Sequence, residues 1–402
     1  MRILLVHPAI FIGGAERIVV GLLAGLISRG HDARLLTLSV EGGLLEQFGV
    51  PEDRLIVPRS RAGGAFLGMD YRDPRTLNGA VRDAWSLRNE LRELEGTFDL
   101  VNPHNFPASD LVGLARIDAP SVWVCNEPYP LILRENLRSQ SSQRAVARVL
   151  SRVMSPFDVF FVRHWIDAIV VLDAFNQRRV RDFYRRPSTV VPTPIDYDQF
   201  RRGQKERVLD KYGLDGCFVL LQVGWLNPLK NQQASIQALK TIKESIPEAR
   251  LVLVGGGEAL PSLKREVVRL GLKDSVIFAG RVPDESLPDF YDACDLNLFP
   301  NFSQTWGLAP VEALAAGKVT IVSNQAGVAE FLGRHQAAII VSPNASEIAK
   351  ATLSVYRGQV DTTDIVSRGQ QLVKTELSWD TYVDRMVGCF HSTLRNPGPP
   401  DD

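Results

Sequence analysis

The sequence predicts two doubly wound α/β domains, each a parallel sheet covered by helices. Three observations carry that expectation. A chain of 402 residues exceeds one ordinary domain. Short apolar runs alternate with longer helical patterns along nearly its whole length, the rhythm of βαβ units. Near the middle, the segment from Val191 to Phe200 carries two prolines that oppose helix and favour extended chain, and a second βα series begins after it.

In the first half, Ile3 to Val6 reads as a strand, about Ala15 to Arg29 as an amphipathic helix, and Ala33 to Leu38 as the next strand. Further strands are expected at Leu100 to Asn102, Ser121 to Cys125, Ala168 to Leu172 and Thr189 to Val191. Most end in Pro, Asn or His, and strand ends in such sheets carry the ligand loops. The second half repeats the architecture with Val219 to Val223, Arg250 to Val254, Ser275 to Phe278, Leu296 to Phe299 and Val319 to Val322. The domains implied are 1–192 and 193–376, then a helix at 377–392 packing back on the first domain, and a tail at 393–402.

Apolar residues make up 45% and charged residues 23% of the chain, which suits a globular protein with a core in each half. With 46 basic and 46 acidic side chains there is no global field to attract nucleic acid, so none is expected as a partner. Cys125, Cys217, Cys294 and Cys389 lie far apart, suggesting neither a zinc site nor a disulfide framework and pointing to a reducing cytoplasm. The chain enters a strand at Arg2 without the marks of a signal peptide, and no apolar run approaches the ~20 residues that span a bilayer. A cytoplasmic protein is expected, with attachment to the inner face of the cell membrane left open.

Four loops could carry chemistry. In the first, Pro8 to Arg17, Gly13 and Gly14 either let backbone N–H groups approach an anion at a positive helix end or make a tight turn. In Gly224-Trp-Leu-Asn-Pro-Leu-Lys-Asn231, Lys230 falls in the loop or first helical turn. An ammonium is poorly placed there unless it faces an anion, so the choice lies between a phosphate ligand and an ordinary solvated lysine. The run Val254-Gly-Gly-Gly-Glu258 loses backbone entropy that close approach of a ligand to Gly255 and Gly256 would explain, as would a flexible loop.

The fourth and most informative stretch runs from Phe299 to Gly317. Its polar loop passes through Gln304, Thr305 and Trp306 to Gly307 and leads into a short helix around Val311 to Ala316. Amides from Gly307 through Leu308 to Ala309 then mark a positive helix end that suits a diphosphate. Glu312, one turn further in, either accepts hydrogen bonds from vicinal hydroxyls such as those of ribose or acts as a helix-dipole partner.

With these segments in place, the chain resembles the family 4 retaining glycosyltransferases of the GT-B fold, two Rossmann-like domains facing a cleft. The likeness rests on Gly13-Gly14-Ala-Glu-Arg17 with Arg29-Gly-His31, Asp99-Leu-Val-Asn-Pro-His-Asn105, and Asp167-Ala-Ile-Val-Val171 with Phe175-Asn-Gln-Arg178. It continues through Gly224 with Lys230, Gly280-Arg-Val282 with Leu287 and Tyr291, and the E-x7-E region ending at Glu312-Ala-Leu-Ala-Ala-Gly317. The resemblance implies an acceptor-binding first domain and a donor-binding second domain, with a nucleoside diphosphate sugar as co-substrate and no other cofactor or metal. Lys230 would neutralise donor phosphates, Glu312 hold the ribose, Val282 lie beside the base, and Gly307 with Leu308 supply amides near the diphosphate. His104 would approach the transferred sugar, with Asn105, Asn126 and Glu127 on the acceptor side. Transfer of a sugar to a glycan or lipid-linked acceptor, in polysaccharide, glycolipid or glycoconjugate assembly, is the function implied.

Two departures stand out. Trp225 occupies the place of a family arginine, so one of two positive charges is lost. Gln304 replaces the first Glu of E-x7-E, which excludes a covalent carboxylate mechanism there. They leave room for a catalytically impaired sugar-nucleotide binder or interaction protein, and the fold alone also admits a non-hydrolysing epimerase or a phosphorylase. The D-x-D of Ile195-Asp-Tyr-Asp198 falls in the expected connection and is read as no metal site. Between Arg134 and Arg152 a basic amphipathic helix places Arg144, Arg148 and Arg152 opposite an apolar face, and an aromatic patch with Phe157, Phe160 and Phe161 follows. Such a face suits either an anionic membrane surface or the protein's own core.

Overall fold

In the computed structural model, residues 1–10, 14–40, 43–58, 74–128, 144–302 and 306–398 are described; for 74–80 and 144–154 the description stops at the backbone. The chain divides into two units, Met1–Pro192 with Trp379–Asp402, and Thr193–Ser378.

In the first unit, Arg2–Val6 (β1), Asp32–Leu36 (β2), Leu55–Ile56 (β3) and Leu100–Pro103 (β4) form a parallel sheet in the order β3-β2-β1-β4. Val122–Cys125 (β5), Ala168–Val171 (β6) and Thr189–Val190 (β7) form a second parallel set. Single bridges, Val101 to Ser121 and His104 to Val124, join it to β4. Ile3, Leu4, Leu5 and Val6 are all buried, as a strand covered on both faces requires.

Helix Gly14–Ser28 lays Ile18, Val19, Leu22, Leu23 and Leu26 into that core, and the last helix, Trp379–Arg395, adds Tyr382, Val383, Met386 and Phe390. The two helices meet at glycines. A Cβ on Gly21 would stand 2.1 Å from the Trp379 ring, and one on Gly25 would stand 2.5 Å from Val383. This close approach is what fixes the C-terminal helix to the first unit.

The second unit holds Phe218–Val223 (β8), Ala249–Val254 (β9), Val276–Gly280 (β10), Leu296–Phe299 (β11), Val319–Ser323 (β12) and Ile339–Val341 (β13). These strands are parallel, in the order β10-β9-β8-β11-β12-β13. Both units are therefore doubly wound, and each reverses its winding once, between β1 and β4 and between β8 and β11. Ligands of such sheets bind outside the carboxyl ends of the strands at that reversal.

Some expectations need correction. The short strands β3 and β13 are not among those expected, although Ala337 to Val341 is an apolar run ahead of a Ser-Pro. The connection after residue 192 contains a helical turn, Tyr197–Phe200, capped by the Asp196 carboxylate, which accepts a hydrogen bond from the Gln199 amide at 3.0 Å. The helix expected around Val311 starts at Leu308, with Pro310 in the first turn, where a missing N–H is tolerated. Helix Arg144–Trp165 runs through Pro156, so the aromatic patch belongs to the helix itself.

Candidate functional site

The exit of β8 is built around one lysine. Gly224 leaves the strand with φ 148°, and Pro228–Lys230 forms a 3-10 turn before helix Gln232–Ile242. The main chain of Lys230 is held at both ends. Its amide donates to Asn227 Oδ1 at 3.0 Å, and its carbonyl accepts from Gln222 Nε2 at 2.7 Å. Gln222 is itself fixed by the Ser235 hydroxyl at 2.8 Å.

Asn231, left-handed at φ 55°, donates from Nδ2 to the carbonyls of Pro300 at 3.0 Å and Pro343 at 2.9 Å, and the Phe302 amide donates to Leu229 O at 2.8 Å. These bonds tie the lysine turn to the exit of β11. A turn held this way keeps the root of the lysine side chain in place, while the ammonium is carried on its own flexible stem.

At the exit of β11, the Phe299 ring brings two expected site residues together. Lys230 Nζ lies 5.9 Å from its centroid. Gly307, at φ 86°, presses on the same ring, so that an added Cβ would stand 2.3 Å from Cζ. Only glycine meets both demands. Helix Leu308–Ala315 starts there with no side-chain cap, presenting the amide end that favours anions.

Glu312, one turn along, accepts a hydrogen bond on Oε2 from the Tyr291 hydroxyl at 2.6 Å, with both side chains buried. Burial first, and then the Glu312 charge, push the Tyr291 hydroxyl well above its usual range, so it stays a donor. The sequence marks Tyr291 only as part of the resemblance; its pairing with Glu312 is visible only in the fold.

Other expected residues take different roles. Gly255 is explained by backbone, since a Cβ there would stand 2.1 Å from Gly224 O; Gly257 likewise faces Leu226 O at 2.3 Å. Close approach is real, but the approaching group is the neighbouring loop. Trp306 is buried and packs on Phe331, with ring centroids 5.1 Å apart, so it supports the loop from within the core instead of lining a ligand. Trp225 stands partly in solvent, with Nε1 donating to Glu258 Oε2 at 2.8 Å. Val282 follows β10, whose last carbonyl, at Gly280, accepts from the Gly255 amide at 2.8 Å. Gly13, Gln304 and Thr305 lie outside the described residues.

The first unit places its candidates at the equivalent reversal. Gly14 opens helix Gly14–Ser28 after β1, and His104 and Asn105 lie at the end of β4. His104 is buried and bonded through Nε2 to Asn102 Oδ1 at 2.8 Å. Burial, and then the nearby His7, push its pKa down to about 3. His7, pushed down to about 4 by burial, contacts Asn105 Nδ2 through Nε2 at 3.3 Å. His104 is thus enclosed and neutral, which departs from the expectation of an imidazole reaching a sugar.

Asn126 and Glu127 follow β5, where Asn126 O accepts from Asn176 Nδ2 at 2.7 Å. A further polar group escaped the sequence: buried Asp110 and Asp158 share a hydrogen bond, and Asp158 also accepts from Tyr184 at 2.8 Å. On helix Arg144–Trp165, Phe157 is 57% and Phe160 48% exposed. Phe161 instead stacks on Trp165, with centroids 4.9 Å apart, and leans over Gly113, so it leaves the exposed patch. Arg144, Arg148 and Arg152 lie in the stretch described by backbone alone. Among the described residues no helix is long and apolar enough to cross a membrane.

Known proteins resemble this chain in sequence and in fold. The family Glycosyltransferase Family 4 matches residues 12–199, and Glycosyl transferases group 1 matches residues 204–371. The chain is 24% identical to a D-inositol 3-phosphate glycosyltransferase of Acidothermus cellulolyticus, over 95% of this chain and 86% of that one. Anabaena HepE in complex with UDP is similar in structure, with a TM-score of 0.75 at 18% identity over 98% and 100% of the two chains. Sucrose-phosphate synthase from Thermosynechococcus elongatus gives 0.74 at 17% over 98% and 99%. The fold is that of the GT-B glycosyltransferases. Two family matches in succession, skipping only residues 200–203 between them, and the paired reversals of the two sheets lead to one assignment: the chain belongs to the family 4, group 1 glycosyltransferases.

Proposed function

We propose that the protein transfers a sugar from a nucleoside diphosphate sugar to a glycan or lipid-linked acceptor, with retention at the anomeric carbon and without a metal. One observation supports this above the others: Lys230, its main chain pinned at N and O, and the amide end of helix Leu308–Ala315 border one ring, Phe299. An ammonium and a positive helix end both stabilise the charge that grows on a departing diphosphate.

In this reaction the bond from the anomeric carbon to the phosphate oxygen breaks while the acceptor oxygen bonds the same face. The acceptor's proton passes to the departing phosphate oxygen. No carboxylate nucleophile takes part, in keeping with Gln304. Glu312, oriented by Tyr291, accepts from the ribose hydroxyls, and Val282 flanks the base. HepE holds UDP and UDP-glucose in its complexes, which makes uridine diphosphate sugars the first donors to try.

A second acceptor class, a phosphorylated polyol, is favoured by the name of the Acidothermus relative. The lipid-linked class is favoured by exposed Phe157 and Phe160 beside a groove of about 880 Å³ bordered by Arg88, Arg92 and Arg116, a surface suited to an anionic bilayer. Binding to anionic vesicles at low salt that is lost at high salt supports docking; no binding at low salt removes it.

Thermal shift against uridine, guanosine and adenosine diphosphate sugars, followed by product analysis with both acceptor classes, tests the main reading. A bound donor must stabilise the fold. Transfer that continues in EDTA and keeps the anomeric configuration supports it, whereas inverted product or turnover of Lys230→Ala close to the parent overturns it.

A further inference from the structure

Position 225 holds a tryptophan where the resemblance expects the second cation of the phosphate site, yet a guanidinium arrives from another strand. Arg281, just after β10, sets its Cζ 4.7 Å from the centroid of the Trp225 ring, within cation–π range. Its stem crosses Gly256, where an added Cβ would stand 3.4 Å from both Cγ and Nε. Trp225 cannot swing freely beneath it, because its indole N–H donates to Glu258 Oε2 at 2.8 Å.

The exits of β8, β9 and β10 form one scaffold for this stack. Gly224 N donates to Val254 O at 2.9 Å, Leu226 N to Gly256 O at 2.8 Å, and Gly255 N to Gly280 O at 2.8 Å. Trp225 follows Gly224 directly, and the methylenes of Lys230 lie 3.9 Å from where a Gly224 Cβ would stand, so the stack adjoins the lysine turn. Among the described residues no ion pair neutralises Arg281. A planar guanidinium on an aromatic face keeps its N–H edge directed outward, the geometry that grips phosphate oxygens.

We propose that Arg281, stacked on Trp225, supplies the second positive charge of the donor-diphosphate site. Trp225 is then a positioning residue: it holds the cation that its own side chain lacks. The inference rests on the donor reading above, and the two fail differently.

Titration of the full chain with UDP, GDP and ADP, each beside its monophosphate, separates them. Arg281→Gln is expected to weaken the diphosphate that binds by about tenfold or more, to change the monophosphate much less, and to leave the thermal midpoint in place. Adding Trp225→Arg to Arg281→Gln should restore diphosphate affinity, and Arg281→Lys should fall between. Equal diphosphate affinity in parent and Arg281→Gln overturns the inference and spares the donor reading. Equal losses for the diphosphate and the monophosphate would place Arg281 at the nucleoside or the first phosphate, with no role specific to the diphosphate, and overturn it as well. If the parent binds none of the diphosphates, the donor reading fails and takes this inference with it.

Discussion

The two units share a winding reversal and fill it with different chemistry. In the second unit the exits of β8 and β11 bring Lys230, its main chain held by hydrogen bonds, and the uncapped amide end at Gly307 to the same Phe299 ring. In the first unit the exits of β1 and β4 hold His7 and His104, whose imidazoles burial keeps neutral. Topology gives each sheet a winding reversal, and side chains decide what could bind there. A cation and open amides suit an anion, whereas neutral rings and amides suit hydroxyl groups. An imidazole titrating at about 3 is also a weak base near neutrality, so proton removal by His104 contributes little.

Lys230 offers the sharpest way to break this contrast. Lys230→Ala removes the ammonium and leaves its backbone hydrogen bonds intact, so turnover should fall about 100-fold or more with little change in thermal midpoint. His104→Gln should leave nucleoside diphosphate affinity unaltered. Comparable affinity losses in a titration of both variants would erase the distinction between the units.

A smaller effect is expected from glycine replacement. Gly307→Ala meets both a positive φ and the Phe299 ring, and should lower stability by about 2–3 kcal/mol in urea unfolding. Gly30→Ala, at φ 78° with nothing within 4 Å, should lose only the backbone share, about 1 kcal/mol. Similar losses would mean that the Phe299 contact does not matter.

The pH dependence should set the units apart more gently. His7 and His104 titrate below the ordinary 6.5 in the folded chain, so their contribution is complete above that pH and is lost as pH falls towards 4 and 3. Asp158 acts in the opposite sense. Burial pushes it from 3.8 up to about 7, so its contribution is present below the lower value and is lost as pH rises through the upper one. Hydrogen exchange should show greatest protection of the first unit at mildly acid pH, and Asp158→Asn should remove the alkaline decline. A first unit with a flat profile across this range would contradict both assignments.

The least effect is expected at Tyr291. Tyr291→Phe removes the hydroxyl that donates to the Glu312 carboxylate, which should weaken donor binding severalfold and reduce the preference for UDP over 2′-deoxy-UDP. An unchanged preference would detach Glu312 from the ribose.

Much of this architecture was legible because strand exits are local. An apolar run followed by glycine, asparagine or lysine shows itself within ten residues, so the Lys230 turn and the Gly307 helix start could both be read directly. Tyr291 and Glu312 are 21 residues apart, and nothing in either neighbourhood announces their hydrogen bond. Read with its polar loop, Trp306 is expected on the donor side, and its burial against Phe331 is a long-range contact that the loop sequence does not announce. The glycines at 255 and 256 suggest either a ligand or a flexible loop, and the close neighbours are the backbone of the β8 exit at Gly255 and the Arg281 side chain at Gly256.

By itself the sequence determined the alternation of strands and helices, the fold class that follows from it, and the loops at which chemistry is carried, because periodicity and turn residues act over a few positions. Tertiary structure alone decided that Arg281 lies on Trp225, that Tyr291 holds Glu312, and that His104 is enclosed. Those outcomes depend on which distant side chains share a space and how much water is excluded from it, and neither quantity is written in local spacing.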